Sequence, residues 1–180
     1  MKKKDKHILK IESVLIIPNT THYGELHAIV IENGQHIDVA QSPTAIIDYN
    51  LRQQGSSIRG AKDGVKSILG NVNMPPVVIS GQNGIYFMPT CSPTSDECMW
   101  IACHFIKSFE ISGPHTAVNL KNNLTITVKM SKDAFQKRLQ RSYMYRGIIE
   151  ERTRQMYVAE PKPSPYKMIK LTKHNKYEME

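Results

Sequence analysis

Residues 52–70 read RQQGSSIRGAKDGVKSILG, a segment in which four glycines alternate with basic and hydroxyl side chains. Glycine lets the backbone adopt positive φ and approach a ligand closely. Serine hydroxyls, backbone N–H groups and basic side chains all bind phosphate oxygens. The segment therefore predicts a loop suited to a polyanion, with binding by Arg52, Ser56, Ser57, Arg59, Lys62 and Lys66. The alternative is a glycine-rich surface connection whose charges are only solvated.

Two helices are predicted from cap signals and apolar spacing. Ser42 followed by Pro43 matches an N-cap with proline at the first helical position. That helix runs about three turns to Gly55, which stands where a helix would end. The longest helix is predicted from Ser131 to about residue 151, with an inward stripe of Phe135, Leu139 and Tyr143.

The other signals predict strands, several of them joined as hairpins. Strands are expected over residues 8–18, 25–32, 35–40, 76–80, 85–89 and 98–111, with a further hairpin over 116–130. Asn33-Gly34 supplies the chemistry of a tight hairpin turn. Residues 98–111 are apolar on both alternations, which predicts one central strand covered on both faces.

The predicted fold class is α+β. It comprises antiparallel sheets, a short helix after the N-terminal hairpin and a long basic helix near the C-terminus. Residues 1–155 are predicted to form a single domain, and residues 156–180 a flexible basic tail. No run of apolar residues is long enough to cross a membrane, and the basic N-terminus lacks the apolar stretch of a signal peptide. We therefore expect a cytoplasmic protein with no membrane partner.

Positive charge is concentrated in the last 70 residues. Residues 1–110 contain 10 basic and 10 acidic side chains, whereas residues 111–180 contain 14 and 6, so the whole excess of +8 lies there. Much of it falls on the long helix, where Lys137, Arg138, Arg141 and Arg146 are candidate contacts to an anion. The alternative is an ordinary solvated helix. Such an asymmetry indicates an acidic partner such as nucleic acid or an anionic surface.

Catalytic and metal chemistry find little support in the sequence. The spacing from Gly55 to Gly60 is that of a nucleotide-binding loop, but Ala61 stands where that motif requires lysine. Cys103 and His104 are adjacent, so on a strand they would point to opposite faces and could not form a dyad. The three cysteines match no zinc spacing and are expected to be reduced thiols. We expect no enzyme, no cofactor and no metal.

Five motifs closely resemble the ComK family, the competence transcription factors of Gram-positive bacteria. They are Gly55-Ser56-Ser57, Gly60-x-Lys62-x-Gly64, Pro75-Pro76-Val77-Val78, the run from Ile85 to Thr90, and Cys98-x-Trp100-Ile101. The match extends over about residues 8–155 and is densest over residues 48–109. Arg52, Phe135, Arg141 and Arg146 also stand at positions that match the family.

The resemblance implies a sequence-specific activator of the genes for DNA uptake and recombination. Such a protein would bind paired A/T-rich boxes of double-stranded DNA through the minor groove, as dimers that assemble into tetramers, and would associate with the nucleoid when active. A narrow A-tract minor groove attracts inserted arginines. An alternative from another class is a basic RNA- or ribosome-associated protein.

The resemblance also implies protein partners. RNA polymerase is one candidate, and an adaptor that delivers the family to a Clp protease is another. That adaptor recognises a C-terminal apolar-aromatic peptide ending in Pro-Lys. Residues 156–162, MYVAEPK, depart from the peptide by an insertion and an acidic residue, so control by the adaptor is left open.

Overall fold

The structure is a computed structural model that describes residues 4–157, 169–171 and 177–179. Eleven strands are present in these ranges: β1 (Ser13–Thr20), β2 (Leu26–Glu32), β3 (Gln35–Val39), β4 (Val77–Ser80), β5 (Ile85–Pro89), β6 (Trp100–Ala102), β7 (Ile106–Ser112), β8 (His115–Leu120), β9 (Thr125–Val128), β10 (Ile169–Leu171) and β11 (Tyr177–Met179). The described helices are α1 (Pro43–Gln53), α2 (Ile58–Leu69) and α3 (Lys132–Tyr157).

The strands form antiparallel sheets, which confirms the predicted α+β class. Six strands pair in the order β3-β2-β1-β6-β5-β4, and β7, β8 and β9 form a second sheet. β10 and β11 pair with each other within the predicted tail, whose other residues lie largely outside the described ranges. The division into a domain of residues 1–155 and a flexible tail stays a prediction.

The six-stranded sheet separates two hydrophobic cores. Alternation along β5 sends Ile85 and Phe87 to the core beneath α1, and Tyr86 and Met88 to the core beneath the second sheet and α3. Such alternation follows from the two-residue period of a strand. The central sheet is therefore covered on both faces by different elements.

The N-terminal part of the fold agrees closely with the sequence prediction. β2 and β3 pair across the Asn33-Gly34 turn, and both turn residues have positive φ. Ser42 caps α1, with its Oγ accepting from the Ala45 N–H at 3.2 Å. The predicted first strand is shorter than expected, since β1 begins only at Ser13.

Residues 52–70 are not the predicted loop. α1 ends at Gln53, the chain turns at Gly55 with φ of 74°, and Ser57 then caps the twelve-residue helix α2. Val65 is fully buried, which anchors α2 to the fold. Two internal glycines disfavour a helix by about 1 kcal/mol each. Packing and the cap outweigh that local preference.

The apolar run of residues 98–111 is also not a single strand. β6 lies in the six-stranded sheet, a 3₁₀ turn at Cys103–Phe105 redirects the chain, and β7 lies in the three-stranded sheet. β6 is buried on both faces, as expected, but most residues of β7 are exposed, so the expected cover is wrong for the second half of the run. The run is apolar because it passes from one core to the other.

The long C-terminal helix α3 extends past its predicted end. Phe135 and Leu139 are buried as expected, and the ring of Phe135 packs against Phe109 with centroids 5.1 Å apart. Tyr143 is exposed on its ring, although its hydroxyl donates to the Cys103 carbonyl at 3.2 Å, and Tyr145 is buried instead. The inward face therefore turns towards Tyr145, contrary to the predicted stripe.

Candidate nucleic-acid interface

The junction between α1 and α2 is held by one carboxylate. Asp48 accepts from the Arg52 Nε at 2.6 Å and from the Ile58 N–H at 2.8 Å. Burial raises the pKa of Asp48, but the hydrogen bond from Ile58 and the Arg52 guanidinium outweigh it, so the pKa is lowered overall. Arg52 is thus exposed but paired within the protein.

Three cations form an exposed strip on α2, the α2 strip, which comprises Arg59, Lys62 and Lys66. Their spacing of three and four residues places them on one side of the helix. None of the three forms a salt bridge to a carboxylate in the part of the chain that the structure describes. The first turn of α2 contains no acidic residue. Asp63 is also exposed on this side of α2, four residues after Arg59 and three before Lys66, so the strip presents three cations beside one carboxylate and keeps a net positive charge.

Ser56 and Ser57 lie at the start of this helix. Ser57 Oγ accepts from the Gly60 N–H at 3.1 Å, so its acceptor capacity is partly used in capping α2. Ser56 is exposed in the connection, and its N–H donates to the Leu51 carbonyl at 2.9 Å. Its hydroxyl is the more accessible of the two.

α2 and α3 are in contact at Gly64 and Tyr145. A Cβ atom at Gly64 would lie 3.8 Å from Oη of Tyr145. Tyr145 is buried, and burial raises the pKa of its hydroxyl while the nearby Arg152 lowers it. Lys62 and Lys66 stand two residues on each side of Gly64 and so point away from α3.

A second strip of cations, the α3 strip, runs along the exposed side of α3 and comprises Lys137, Arg141 and Arg152. Spacings of four and eleven residues keep the three on one face of the helix. All three are exposed, and none makes a salt bridge to a described carboxylate. Arg141 precedes Tyr145 by one turn, so this strip passes beside the contact with α2.

Arg138 is committed to the packing of the fold. Its Nη1 donates to the Pro89 carbonyl at 2.8 Å, and its Nη2 lies 3.0 Å from Sδ of Met74. Burial lowers the pKa of Arg138, against the opposite effect of the Cys91 and Cys98 thiols. The guanidinium therefore joins α3 to β5 and to the segment that follows α2.

Arg146 is similarly engaged. Its Nε donates to Oε1 of Glu150 at 2.6 Å, and its guanidinium lies over the ring of Tyr86 at 5.4 Å. A cation above an aromatic face is attracted by the ring quadrupole. A substitution at Arg146 would therefore alter packing as well as charge.

The family model of the ComK protein matches residues 4–154 of this chain. The chain belongs to the ComK family. Its sequence is 28% identical over 153 residues to the competence transcription factor of Bacillus subtilis strain 168. The aligned region covers 81% of this chain and 80% of that relative. No solved structure shows significant similarity to the chain. The family and this relative support a regulator of competence transcription, a class that is typically non-enzymatic.

In this ComK family member, the structure places the ten predicted contact residues in two kinds of environment. Five of them face solvent and make no described salt bridge: Arg59, Lys62, Lys66, Lys137 and Arg141. Four others make contacts within the protein: Arg52, Ser57, Arg138 and Arg146. Ser56 is exposed at the junction between α1 and α2. Sequence reasoning missed the bond of Arg138, because its partner is set by a tertiary contact. It also missed the Arg146–Glu150 pair, which the four-residue spacing within one helix could have predicted. The role of Asp48 was also missed, because this carboxylate accepts a hydrogen bond from the Ile58 N–H, ten residues later in the chain.

Among residues 4–157 and the two short strands, no cluster of three His, Cys, Asp or Glu side chains has the arrangement of a metal site. Within these ranges, no helix is long and apolar enough to cross a membrane.

Proposed function

We propose that this chain is a sequence-specific DNA-binding activator of competence genes that binds paired A/T-rich boxes through the minor groove. The observation that carries this proposal is the pair of exposed, net-positive strips, without described salt bridges, on two helices in contact. Fixed positive charge attracts the phosphate backbone, which provides most of the sequence-independent affinity for DNA.

The α2 strip is suited to bind DNA near the start of its helix. Arg59 is in the first turn of α2, where the helix dipole already provides positive potential and disfavours a cation. A bound phosphate would relieve that unfavourable arrangement. We assign phosphate contacts to Lys62 and Lys66, because lysine binds phosphate as a point charge.

The α3 strip supplies the candidate for reading A/T-rich sequence. Arg141 is exposed and unpaired among the described residues, so its guanidinium is free to enter a narrow minor groove. Minor-groove contacts distinguish A·T from G·C but little more, so specificity also requires fixed spacing between boxes. Dimers that assemble into tetramers would supply that spacing.

Further partners remain part of the proposal. The activator would work in the cytoplasm at the nucleoid and contact RNA polymerase. Control of its amount by an adaptor and a Clp protease is left open, because residues 156–162 depart from the peptide that such an adaptor recognises.

The function is tested by comparing three ligands at matched salt concentration. We expect the full chain to bind duplex DNA with spaced A/T boxes more tightly than a G·C-rich duplex and more tightly than RNA. A ligand that occupies A·T minor grooves should compete. Equal affinity for all three ligands would overturn the proposal that the chain is a sequence-specific activator. A preference for RNA would support an RNA-associated protein instead.

Arg141→Ala tests whether this side chain reaches base edges. If it does, binding to A/T boxes should weaken by about 1–3 kcal/mol while binding to G·C-rich duplex changes little. Lys137→Ala is the matched control on the same face of α3, and it should weaken binding to both duplexes equally. Fluorescence anisotropy with labelled duplexes measures both effects. A uniform loss for Arg141→Ala would show that this arginine contacts phosphate.

A further inference from the structure

Cys91 and Cys98 lie opposite each other at the loop end of the hairpin formed by β5 and β6. The last registered pair of these strands joins Pro89 to Trp100. Thr90 and Met99 stay paired beyond the strands, since the Thr90 N–H donates to the Met99 carbonyl at 2.9 Å and the Met99 N–H donates to the Thr90 Oγ1 at 3.0 Å. In antiparallel pairing the next residues in register are Cys91 and Cys98.

This register brings the two cysteines within reach of a covalent bond. Opposed residues of an antiparallel pair have Cα atoms about 4.5–5.5 Å apart. Disulfides form across Cα separations of about 4.4–6.8 Å. Both thiols are free, and Sγ of Cys98 lies 3.5 Å from the carbonyl oxygen of Cys91. A rotation about the Cα–Cβ bond of Cys91 is the main movement that bond formation requires.

The surroundings give the two thiols different roles. Cys91 is partly exposed, whereas Cys98 is buried, and burial raises the pKa of the Cys98 thiol to about 11. Cys91 is therefore placed to react first with a reagent from solvent, and Cys98 to resolve the product.

We propose that Cys91 and Cys98 are an oxidation site at which hydrogen peroxide closes an intramolecular disulfide. The Cys91 sulfur attacks one peroxide oxygen, the O–O bond breaks, and water leaves with the thiol proton, which gives a sulfenic acid. The Cys98 sulfur then attacks the Cys91 sulfur and loses its proton, and the sulfenic hydroxyl leaves as a second water. The two thiols lose two electrons, which reduce one peroxide to two waters.

The bond would fix a loop beside the candidate interface. Residues 92–94 of this loop border a cavity of about 340 Å³ together with Ile58 and Lys62 of α2. The same loop is attached to α1, because Thr44 Oγ1 donates to the Pro93 carbonyl at 2.7 Å. A disulfide would close the loop at its base.

Cys103 provides the matched control. It is buried in the other core, and its pKa is raised to about 12 by burial. Removing Cys103 also leaves only two cysteines in the chain, so that any disulfide within one chain is assigned without ambiguity.

The experiment treats the full-length Cys103→Ser chain with hydrogen peroxide, unfolds it in guanidinium chloride and alkylates it with iodoacetamide. We expect that neither remaining cysteine is alkylated by iodoacetamide after peroxide treatment, and that both are alkylated again when dithiothreitol is added first. Digestion after Glu97 and at basic residues should give the two cysteine peptides linked, with a combined mass lower by two hydrogens. Cys91→Ser and Cys98→Ser should each abolish the link. The proposal is overturned if Cys91 becomes a sulfinic acid while Cys98 remains a free thiol that iodoacetamide alkylates. It is also overturned if the disulfide joins two chains.

Discussion

α2 and α3 both present cations to solvent, but the fold uses the cations of the two helices differently. On α2, Arg59, Lys62 and Lys66 make no described salt bridge, and Val65 is the one fully buried side chain in the helix. α3 instead draws part of its charge inward, as Arg138 shows. Net positive charge on a helix is therefore a poor measure of the charge that a partner can reach.

The difference separates two kinds of substitution. A cation without an internal partner can be removed with little effect on folding, whereas a half-buried cation that satisfies a carbonyl, such as Arg138, cannot. Each helix should consequently respond to charge removal in its own way, by loss of binding at exposed positions and by loss of stability at Arg138.

The largest effect is expected from removing the α2 strip. Arg59→Ala, Lys62→Ala and Lys66→Ala together should weaken DNA binding by roughly 3 kcal/mol near physiological salt if each contacts a phosphate, and the salt slope should fall by about three units. Titrations at several salt concentrations measure both quantities.

A control triple variant removes equal charge elsewhere, from exposed lysines that lie outside both strips and make no described salt bridge: Lys4, Lys107 and Lys121. That variant should retain the salt slope. If the two triple variants behave alike, only net charge matters and α2 is not an interface.

Arg138→Ala should lower the free energy of unfolding by about 2 kcal/mol, because it leaves the Pro89 carbonyl without its charged donor. Lys137→Ala is the neighbouring control and should change stability by less than about 0.5 kcal/mol. Urea unfolding measures both midpoints. Equal midpoints would mean that Arg138 is as free as Lys137 and belongs with the α3 strip.

The contrast between the helices also shows what the sequence could predict. Local signals were sufficient for α1, where Ser42 and Pro43 start the helix, and for the hairpin at Asn33-Gly34. α2 was missed because Gly60 and Gly64 favour a loop locally, whereas the burial of Val65 is a property of the assembled fold.

Long-range partners limited the prediction of the candidate site. The exposed positions of Lys62 and Lys66 agree with a solvent-facing basic segment, which composition alone indicates. The Pro89 carbonyl that holds Arg138 is 49 residues away in the sequence, so no local pattern could identify it. The turn at Cys103–Phe105 could not be predicted from the apolar run of residues 98–111, because the residues before and after the turn pack in hydrophobic cores and are equally apolar.

A smaller effect is expected at the junction that orients α2. Asp48→Asn should cost about 1 kcal/mol near pH 7, because it removes the charge that Arg52 and the Ile58 N–H stabilise. The lowered pKa of Asp48 means that the wild-type advantage is present above the ordinary pKa of 3.8 and is lost as pH falls through the folded-state pKa.

Urea unfolding of Asp48→Asn and wild type, at pH 7 and at an acidic pH where both still fold, tests this pH dependence. The difference between the two proteins should shrink towards zero in acid. A difference that stays constant with pH would show that the carboxylate charge has no part in holding α1 to α2.

The smallest effect concerns Gly64, and it distinguishes two roles for the glycines of α2. Gly64 lies inside a helix with ordinary φ, and a Cβ there would lie 3.8 Å from the Tyr145 hydroxyl, an ordinary contact. Gly64→Ala should therefore stabilise the fold by about 0.5–1 kcal/mol through helix propensity alone. Gly64 faces α3 and not the α2 strip, so the DNA affinity of the Gly64→Ala variant should match that of wild type. Thermal unfolding and DNA titration of the same sample measure both; a stabilised variant with weakened DNA binding would mean that the α2 backbone itself approaches DNA at this glycine.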